Sequence, residues 1–238
     1  MEASTKDRLL DAGLALLLQR GYNHLGIQDV LAETRVPKGS FYHHFESKED
    51  FGLQVIERYM VNVHGGLGQF LGDKTVPPLR RVRNFFEATR DSYGREGYLG
   101  CLLGGLGQEL AGISNTFRDR VEQCFREIAR QISACLEEAI VKGDLPRGTD
   151  AQALANLLVD CWEGAALRTR LLRDPAPLMA MLDFYFRSAA AATPRRAPAR
   201  SPRRAQRRPS TRASASTRVA KRARRRALPP GVRRVLAL

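Results

Sequence analysis

The sequence predicts an all-α protein of nine helices, and three observations carry that reading. Apolar residues recur at three- and four-residue spacing almost throughout residues 1–192. Alternating apolar and polar runs bounded by turn residues, the mark of half-buried strands, are missing over the same stretch. Capping signals and terminal glycines punctuate the apolar stretches at helical lengths.

Taken in order, Ser4 and Asp7 form a capping box for a first helix that buries Leu9, Leu10, Gly13 and Leu17 and stops at Gly21. A short helix is expected from about Gln28 to Thr34 and, after Arg35-Val36-Pro37, another from about Lys38 to His44. Ser47 and Asp50 cap a long fourth helix of about 26 residues, ~39 Å at 1.5 Å per residue, with Ile56, Tyr59, Met60, Val63 and Leu67 on its inner face. Pro77 and Pro78 open a fifth, ending at Gly94, with Val82, Phe86, Thr89 and Tyr93 buried and Arg80, Arg81, Arg83 and Arg90 elsewhere around it. The glycine-rich run from Gly97 to Gly112 reads as a connector plus a short buried helix. Ser114 caps a helix of about eight turns that ends at Gly143. Thr149 with Gln152 starts the eighth helix, which bears Leu158 and Trp162, and Asp174 before Pro175 starts the ninth.

Composition divides the chain. The net charge of +14 over 238 residues is concentrated beyond Thr193, where 16 Lys and Arg stand with no acidic or aromatic residue. Residues 1–192 hold 23 basic against 25 acidic residues. A tail of 15 Arg, nine Ala and six Pro among 46 residues has too little apolar surface for a core and is expected to be disordered. Two readings of it stand side by side: non-specific attraction to nucleic acid, and the product of a GC-rich frame read past its usual stop. Cys101, Cys124, Cys135 and Cys161 are too scattered for a disulfide framework or a structural zinc site. There is no apolar run of the roughly 18 residues that span a bilayer, and the acidic N-terminus lacks the basic start of a signal peptide. A cytoplasmic protein with no membrane partner, no metal and no cofactor is expected.

Functional information concentrates in Val36 to Phe45, Val-Pro-Lys-Gly-Ser-Phe-Tyr-His-His-Phe, set between two short helices and a capped long one. Helix, tight turn and helix packed on a first helix is the geometry that presents a recognition helix to a DNA major groove. Pro37 fixes φ at the start of that helix, and Gly39 with Ser40 leaves its leading edge free of bulk. Phe41 and Phe45, four apart, plug the hydrophobic side, leaving Tyr42, His43, His44 and Lys48 to donate to the duplex. The adjacent His43 and His44 point about 100° apart on a helix and do not chelate one ion.

These residues, with the pair Phe41-Tyr42, His44-Phe45 and the following Lys48 at the same spacing, closely resemble the N-terminal domain of the TetR family of transcriptional regulators. The resemblance implies a homodimer with a three-helix helix-turn-helix domain over residues 1–46, a ligand-binding and dimerisation domain over 47–192, and a tail, 193–238, outside the family pattern. It implies a DNA-contacting set of Gln28, Lys38, Gly39, Ser40, Tyr42, His43, His44 and Lys48, with a double-stranded palindromic operator and a small-molecule effector as partners. Two departures stand out: Arg35 occupies the turn where the family usually has glycine, and Leu25-Gly26 replaces the Thr or Ser that begins the second helix. Residues 1–50 hold six basic against eight acidic side chains, so Lys38 and Lys48 must face DNA with the acids turned away.

In the ligand half, Gly-Cys-Leu-Leu-Gly from Gly100 and the following Gln-Glu-Leu resemble the sub-group of this family that responds to acrylate or to electrophiles such as quinones and maleimides. The resemblance implies that Cys101 lines a small-carboxylate pocket or is the sensing thiol, with Tyr98 and Trp162 as companions. Near a helix N-terminus its thiolate, the reactive form, is expected to be favoured. A buried thiol acting as a small apolar side chain is the plain alternative. Cys124 and Cys135, roughly 16 Å apart on one helix, read as core. Trp162 walls the pocket or the dimer seam or packs plainly in the core, and Gly164, Ala165 and Ala166 suit close packing of the last two helices in a dimer. The favoured function is a ligand-released repressor; the alternative is a nucleoid-type protein binding DNA non-specifically through its tail. An enzyme using Cys101 is not expected, because His64 is the only histidine after Phe45's segment.

Overall fold

The computed structural model describes residues 4–191, and the expected disordered tail lies outside the described residues. Nine helices and no strand occur among them: α1 (Thr5–Arg20), α2 (Ile27–Thr34), α3 (Lys38–His44), α4 (Lys48–Gly72), α5 (Pro78–Arg95), α6 (Leu102–Leu110), α7 (Asn115–Lys142), α8 (Ala151–Leu172) and α9 (Ala176–Ala191). No helix among the described residues is long and apolar enough to cross a membrane.

The caps act as the sequence implies. The first N–H groups of a helix lack intrahelical acceptors, and Ser4, Ser47 and Ser114 supply them to Asp7, Asp50 and Phe117 at 3.1, 3.0 and 3.3 Å. Gly143, at φ +81, ends α7 in the left-handed region that glycine enters without strain. The start of α8 differs from expectation. Asp150, not Thr149, accepts the Ala153 N–H, while the Thr149 hydroxyl turns back to the Pro146 carbonyl. Helix α5 runs one residue past Gly94.

Arg81 departs most from its expected place. Only 1 % exposed, it donates to the Leu71 carbonyl at the C-terminal end of α4 and to Glu138 of α7. A cation at the electronegative end of a helix satisfies one of its orphaned carbonyls, so Arg81 pins three helices together. Beside it Lys74 also reaches Glu138, and these two cations hold that carboxyl down at about 2.

Buried side chains form two clusters. One joins α1–α3 to the first half of α4, to α6 and to the start of α7, around Leu9, Phe41, Phe51, Leu103 and Phe117. The other joins the end of α4 to α5, α7, α8 and α9, around Phe86, Ile132, Leu136, Leu158 and Leu182. Val63, Cys101, Phe125 and Ile128 pack against both. Large apolar groups of α8 and α9 are exposed: Leu157 is 51 % exposed and Phe184 69 %, and Leu171 and Met179 are exposed as well.

Candidate functional site

Two places in this framework carry chemistry, the outer face of α3 and a cavity at the seam between the two clusters. Helix α2 begins at Gly26, whose N–H goes to the Asp29 carboxylate at 2.8 Å in the absence of any side-chain cap from Gly26 itself. The turn that follows is left-handed at Arg35, φ 56°, a conformation that costs a residue with a Cβ about 1 kcal/mol. Pro37, φ −61°, then opens α3. Phe41 and Phe45 are fully buried and meet Phe51 of α4 at ring-centroid distances of 5.2 and 4.9 Å, which fixes the roll of α3.

With that side anchored, Lys38, Gly39, Tyr42 and His43 are exposed, Ser40 and His44 are half-buried, and Gln28 is exposed on the first turn of α2. A Cβ built on Gly39 would meet nothing within 4 Å, so the leading edge of α3 is open to close approach. The Lys38 ammonium lies 5.9 Å from the Tyr42 ring centroid. Much of the acidic excess is engaged elsewhere: Arg58 of α4 holds Asp7 and Asp11, and Arg20 holds Asp29 at 3.3 Å. His43 and His44 belong to no group of three metal-ligating side chains among the described residues.

Lys48 has partners within the chain. Its ammonium donates to the Tyr22 carbonyl at 2.9 Å and sits 4.4 Å from the Tyr22 ring centroid, and partial burial lowers its pKa. It ties the start of α4 to the α1–α2 loop. Lys6, which the sequence reading passed over, is exposed with its ammonium 5.9 Å from the Phe45 ring, beside the end of α3.

The cavity, about 90 Å³, lies between α4, α5, α7 and α8 with the start of α6 at one side. Val63, Cys101, Phe125 and Ile128, the residues shared by both clusters, are among its walls. Trp162 is 4 % exposed and forms another wall, its ring 4.8 Å from Phe86 and 5.8 Å from Tyr93. Cys101 and Trp162 therefore meet, as expected. Tyr98 does not join them: at φ +62°, between Gly97 and Gly100 that also have positive φ, its ring folds back against Gly94. Tyr93 and Tyr59 take the place expected of it, the Tyr59 hydroxyl lying 3.6 Å from Cys101 Sγ.

The thiolate expectation is reversed. Cys101 is the N-cap residue of α6, but burial and the neighbouring Glu163 push its thiol far above the ordinary range. Loss of water and a like charge outweigh the helix N-terminus, so the sulfur stays protonated. Cys124 and Cys135 are core, as expected.

Glu163 is the residue sequence reasoning missed. Its carboxyl reaches the first turn of α6, where a Cβ on Gly104 would lie 2.2 Å from Oε2, and burial raises its pKa to about 7, against a hydrogen bond with Cys101 that lowers it. The available signal was an acidic residue in the inward register Val159, Trp162, Glu163, Ala166 of α8.

Comparison with known proteins matches both parts of the chain. The family model "Bacterial regulatory proteins, tetR family" matches residues 9–55, and "Tetracyclin repressor-like, C-terminal domain" matches 78–184. The chain is 34 % identical over 188 residues to the HTH-type transcriptional repressor DhaR of a Mycobacterium species, covering 79 % of this chain and 93 % of that protein. It is 39 % identical over 171 residues to the transcriptional regulator AcuR of Cereibacter sphaeroides, covering 71 % and 78 %. Among solved structures, regulatory protein TetR from Rhodobacter sphaeroides superposes with a TM-score of 0.73 at 37 % identity, covering 76 % of this chain and 96 % of that one. Reduced NemR from Escherichia coli superposes with a TM-score of 0.69 at 30 % identity, covering 76 % and 95 %.

Proposed function

The chain belongs to the TetR family of bacterial regulatory proteins and is a ligand-responsive, DNA-binding transcriptional repressor, not an enzyme; from that premise we propose how its residues divide the work. Residues 1–46 form the reader, 47–192 the ligand-binding and dimerisation part. Lys38, Gly39, Ser40, Tyr42, His43 and His44 on α3, with Gln28 on α2, meet the DNA, backbone and hydroxyl groups positioning phosphates while α3 lies in the major groove. The observation that carries this is the roll of α3: Phe41 and Phe45 are locked inward, so Lys38 and Tyr42 face out together. Lys48 supports that face from behind and does not touch the duplex.

The effector occupies the cavity walled by Cys101 and Trp162. Its position at the seam of the two core clusters supports this, because a molecule entering there acts on α4, α5, α6 and α8 at once. A ligand shifts such an equilibrium only by binding one arrangement better than the other, here the one whose reader heads mismatch the operator half-sites.

Two copies pair through α8 and α9. Leu157, Cys161, Gly164 and Leu171 recur along one exposed face of α8, and Phe184 is exposed on α9, which packs against α8. Large apolar groups in one patch mark an interaction surface, and small Gly164 permits close helix approach. The dimer works in the cytoplasm on a palindromic operator. Fluorescence anisotropy of the full chain on DNA from its own upstream region tests the assignment. Binding that saturates on that DNA, and is at least about a hundredfold weaker on random DNA at equal salt, is expected; equal affinity for both favours the non-specific alternative acting through the tail.

A further inference from the structure

The walls of the cavity are unequal in charge. Two carboxyl groups, Glu163 and Glu96, line it, and among the described residues no Lys, Arg or His does. The remaining polar side chains that line it carry neutral amide, hydroxyl, thiol and indole groups. Tyr59, Phe86, Tyr93 and Trp162 line the same cavity as Glu163, with the Trp162 ring against those of Phe86 and Tyr93. Arg170, whose guanidinium lies 3.5 Å from the Leu18 carbonyl, lines a smaller neighbouring cleft together with Glu163 and Cys101 but is not among the walls of this cavity.

A carboxyl group withdrawn from water without a basic partner is costly unless it neutralises or finds a counter-charge. Among the described residues Glu163 makes no ion pair, and its hydrogen bond is to a thiol that stays protonated. Aromatic faces attract a cation through their quadrupoles, most strongly when water is excluded. We infer that this cavity takes a small organic cation, a protonated amine or quaternary ammonium group, with Glu163 as its counter-charge and Tyr93, Phe86 and Trp162 as its walls. A carboxylate ligand would meet the carboxyl group of Glu163, and no Lys, Arg or His among the described residues lines the cavity to offset it. The assignment rests on the cavity being the effector site and departs from the small acid that the family resemblance suggested.

The pH dependence follows from the groups that face Glu163. Tyr59 and Tyr93 are held neutral by burial and Cys101 is protonated. Glu163, with its pKa at about 7, is then the group that changes charge near neutrality. A cation selects its ionised form. Below pH 7 affinity rises about tenfold for each pH unit, and above it flattens.

Trp162, the only tryptophan of the chain, reports from the wall itself. The experiment titrates the full-length protein, at constant ionic strength, with tetramethylammonium, with its anionic isostere pivalate, with acrylate and with neutral tert-butanol. Expected is a saturable change of Trp162 emission with tetramethylammonium, at least about tenfold tighter than with the other three and tightening as pH rises toward 7. Glu163→Gln, which keeps the shape of the side chain, should weaken tetramethylammonium by about tenfold or more and leave tert-butanol unchanged. A carboxylate binding as tightly as the cation, no response to any probe, or unchanged discrimination in Glu163→Gln overturns the inference. If Glu163→Gln fails to fold, the wild-type ranking of the four probes decides alone. Operator binding of the ligand-free protein is measured separately, so failure of the repressor reading is seen without reference to the cavity.

Discussion

Glu109 Oε2, one residue from the end of α6, accepts the backbone N–H of Asn23 in the α1–α2 loop at 3.0 Å. The helix that begins at the cavity with Cys101 therefore ends on the reader. Its buried residues Leu103, Leu106 and Leu110 lie in the same cluster as α1–α3, leaving little slack between the two ends. The contact is made possible by Gly21, φ +77°, where a Cβ would lie 2.0 Å from Glu109 Oε1. On the other side of the loop Lys48 grips the Tyr22 carbonyl, so three consecutive residues of the loop are each fixed from outside the first three helices or shaped for that contact.

Glu109→Ala should free the Asn23 amide, seen as faster hydrogen exchange at that site with little change at buried α1 amides. Gly21→Ala should cost more, about 1–2 kcal/mol, because it combines left-handed strain with a clash. Urea unfolding measures it. An unchanged Asn23 exchange rate in Glu109→Ala would show that the link carries no protection.

Lys38 and Lys48 should separate by phenotype. Lys38→Ala removes an outward cation and should lower the salt slope of operator binding by about 1 with unchanged thermal stability. Lys48→Ala removes an internal hydrogen bond and a contact with the Tyr22 ring, so the melting temperature should fall while the salt slope stays. The reverse pattern returns Lys48 to the duplex face.

How far the sequence reaches is visible in these residues. Caps and periodicity located all nine helices, because Ser4, Ser47, Ser114 and Gly143 act through their immediate neighbours. Phe41 and Phe45 were legible as core for the same local reason. Arg81, Lys48 and Glu163 were not, since each is decided by a partner far along the chain: Glu138, the Tyr22 carbonyl and Cys101. Tyr98 failed through a left-handed turn that spacing does not reveal. A charged residue in an inward helical register was the only sign of Glu163, and helix-pattern reading counts such a residue as noise.

Phe184→Asp should break the pairing of α8 and α9. A charge on that exposed aromatic position leaves the monomer's own core untouched, since Leu178, Leu182 and Tyr185 face inward. Sedimentation velocity should show a shift from dimer to monomer with retained helical circular dichroism. A dimer that persists at micromolar concentration moves the seam elsewhere.

The Arg-rich tail should contribute only general affinity. Shortening the chain to residue 192 is expected to leave discrimination between operator and random DNA intact while making the salt dependence shallower, because fewer phosphate counterions are released. Loss of discrimination would make the tail part of the specific reader.

Glu138 and Glu163 should tilt the pH–stability curve in opposite directions. Glu138, held at about 2 by Arg81 and Lys74 against an ordinary 4.5, is ionised in the folded protein while the unfolded chain still binds a proton. Stability from it is present above pH 4.5 and is lost as pH falls toward 2. Glu163, raised to about 7 chiefly by burial, keeps a proton in the folded protein that the unfolded chain has released. Its favourable contribution is complete below pH 4.5 and is lost as pH rises through 7. Urea unfolding from pH 2.5 to 8 should therefore show Glu138→Gln flattening the acidic limb and Glu163→Gln flattening the decline between 4.5 and 7. If Glu163→Gln leaves the upper interval unchanged, the carboxyl is hydrated in solution and the cavity is wetter than its walls imply. A cation bound there reverses that decline, since it pays for ionising Glu163 in the folded state only; stabilisation by tetramethylammonium should then be larger at pH 8 than at pH 5.5.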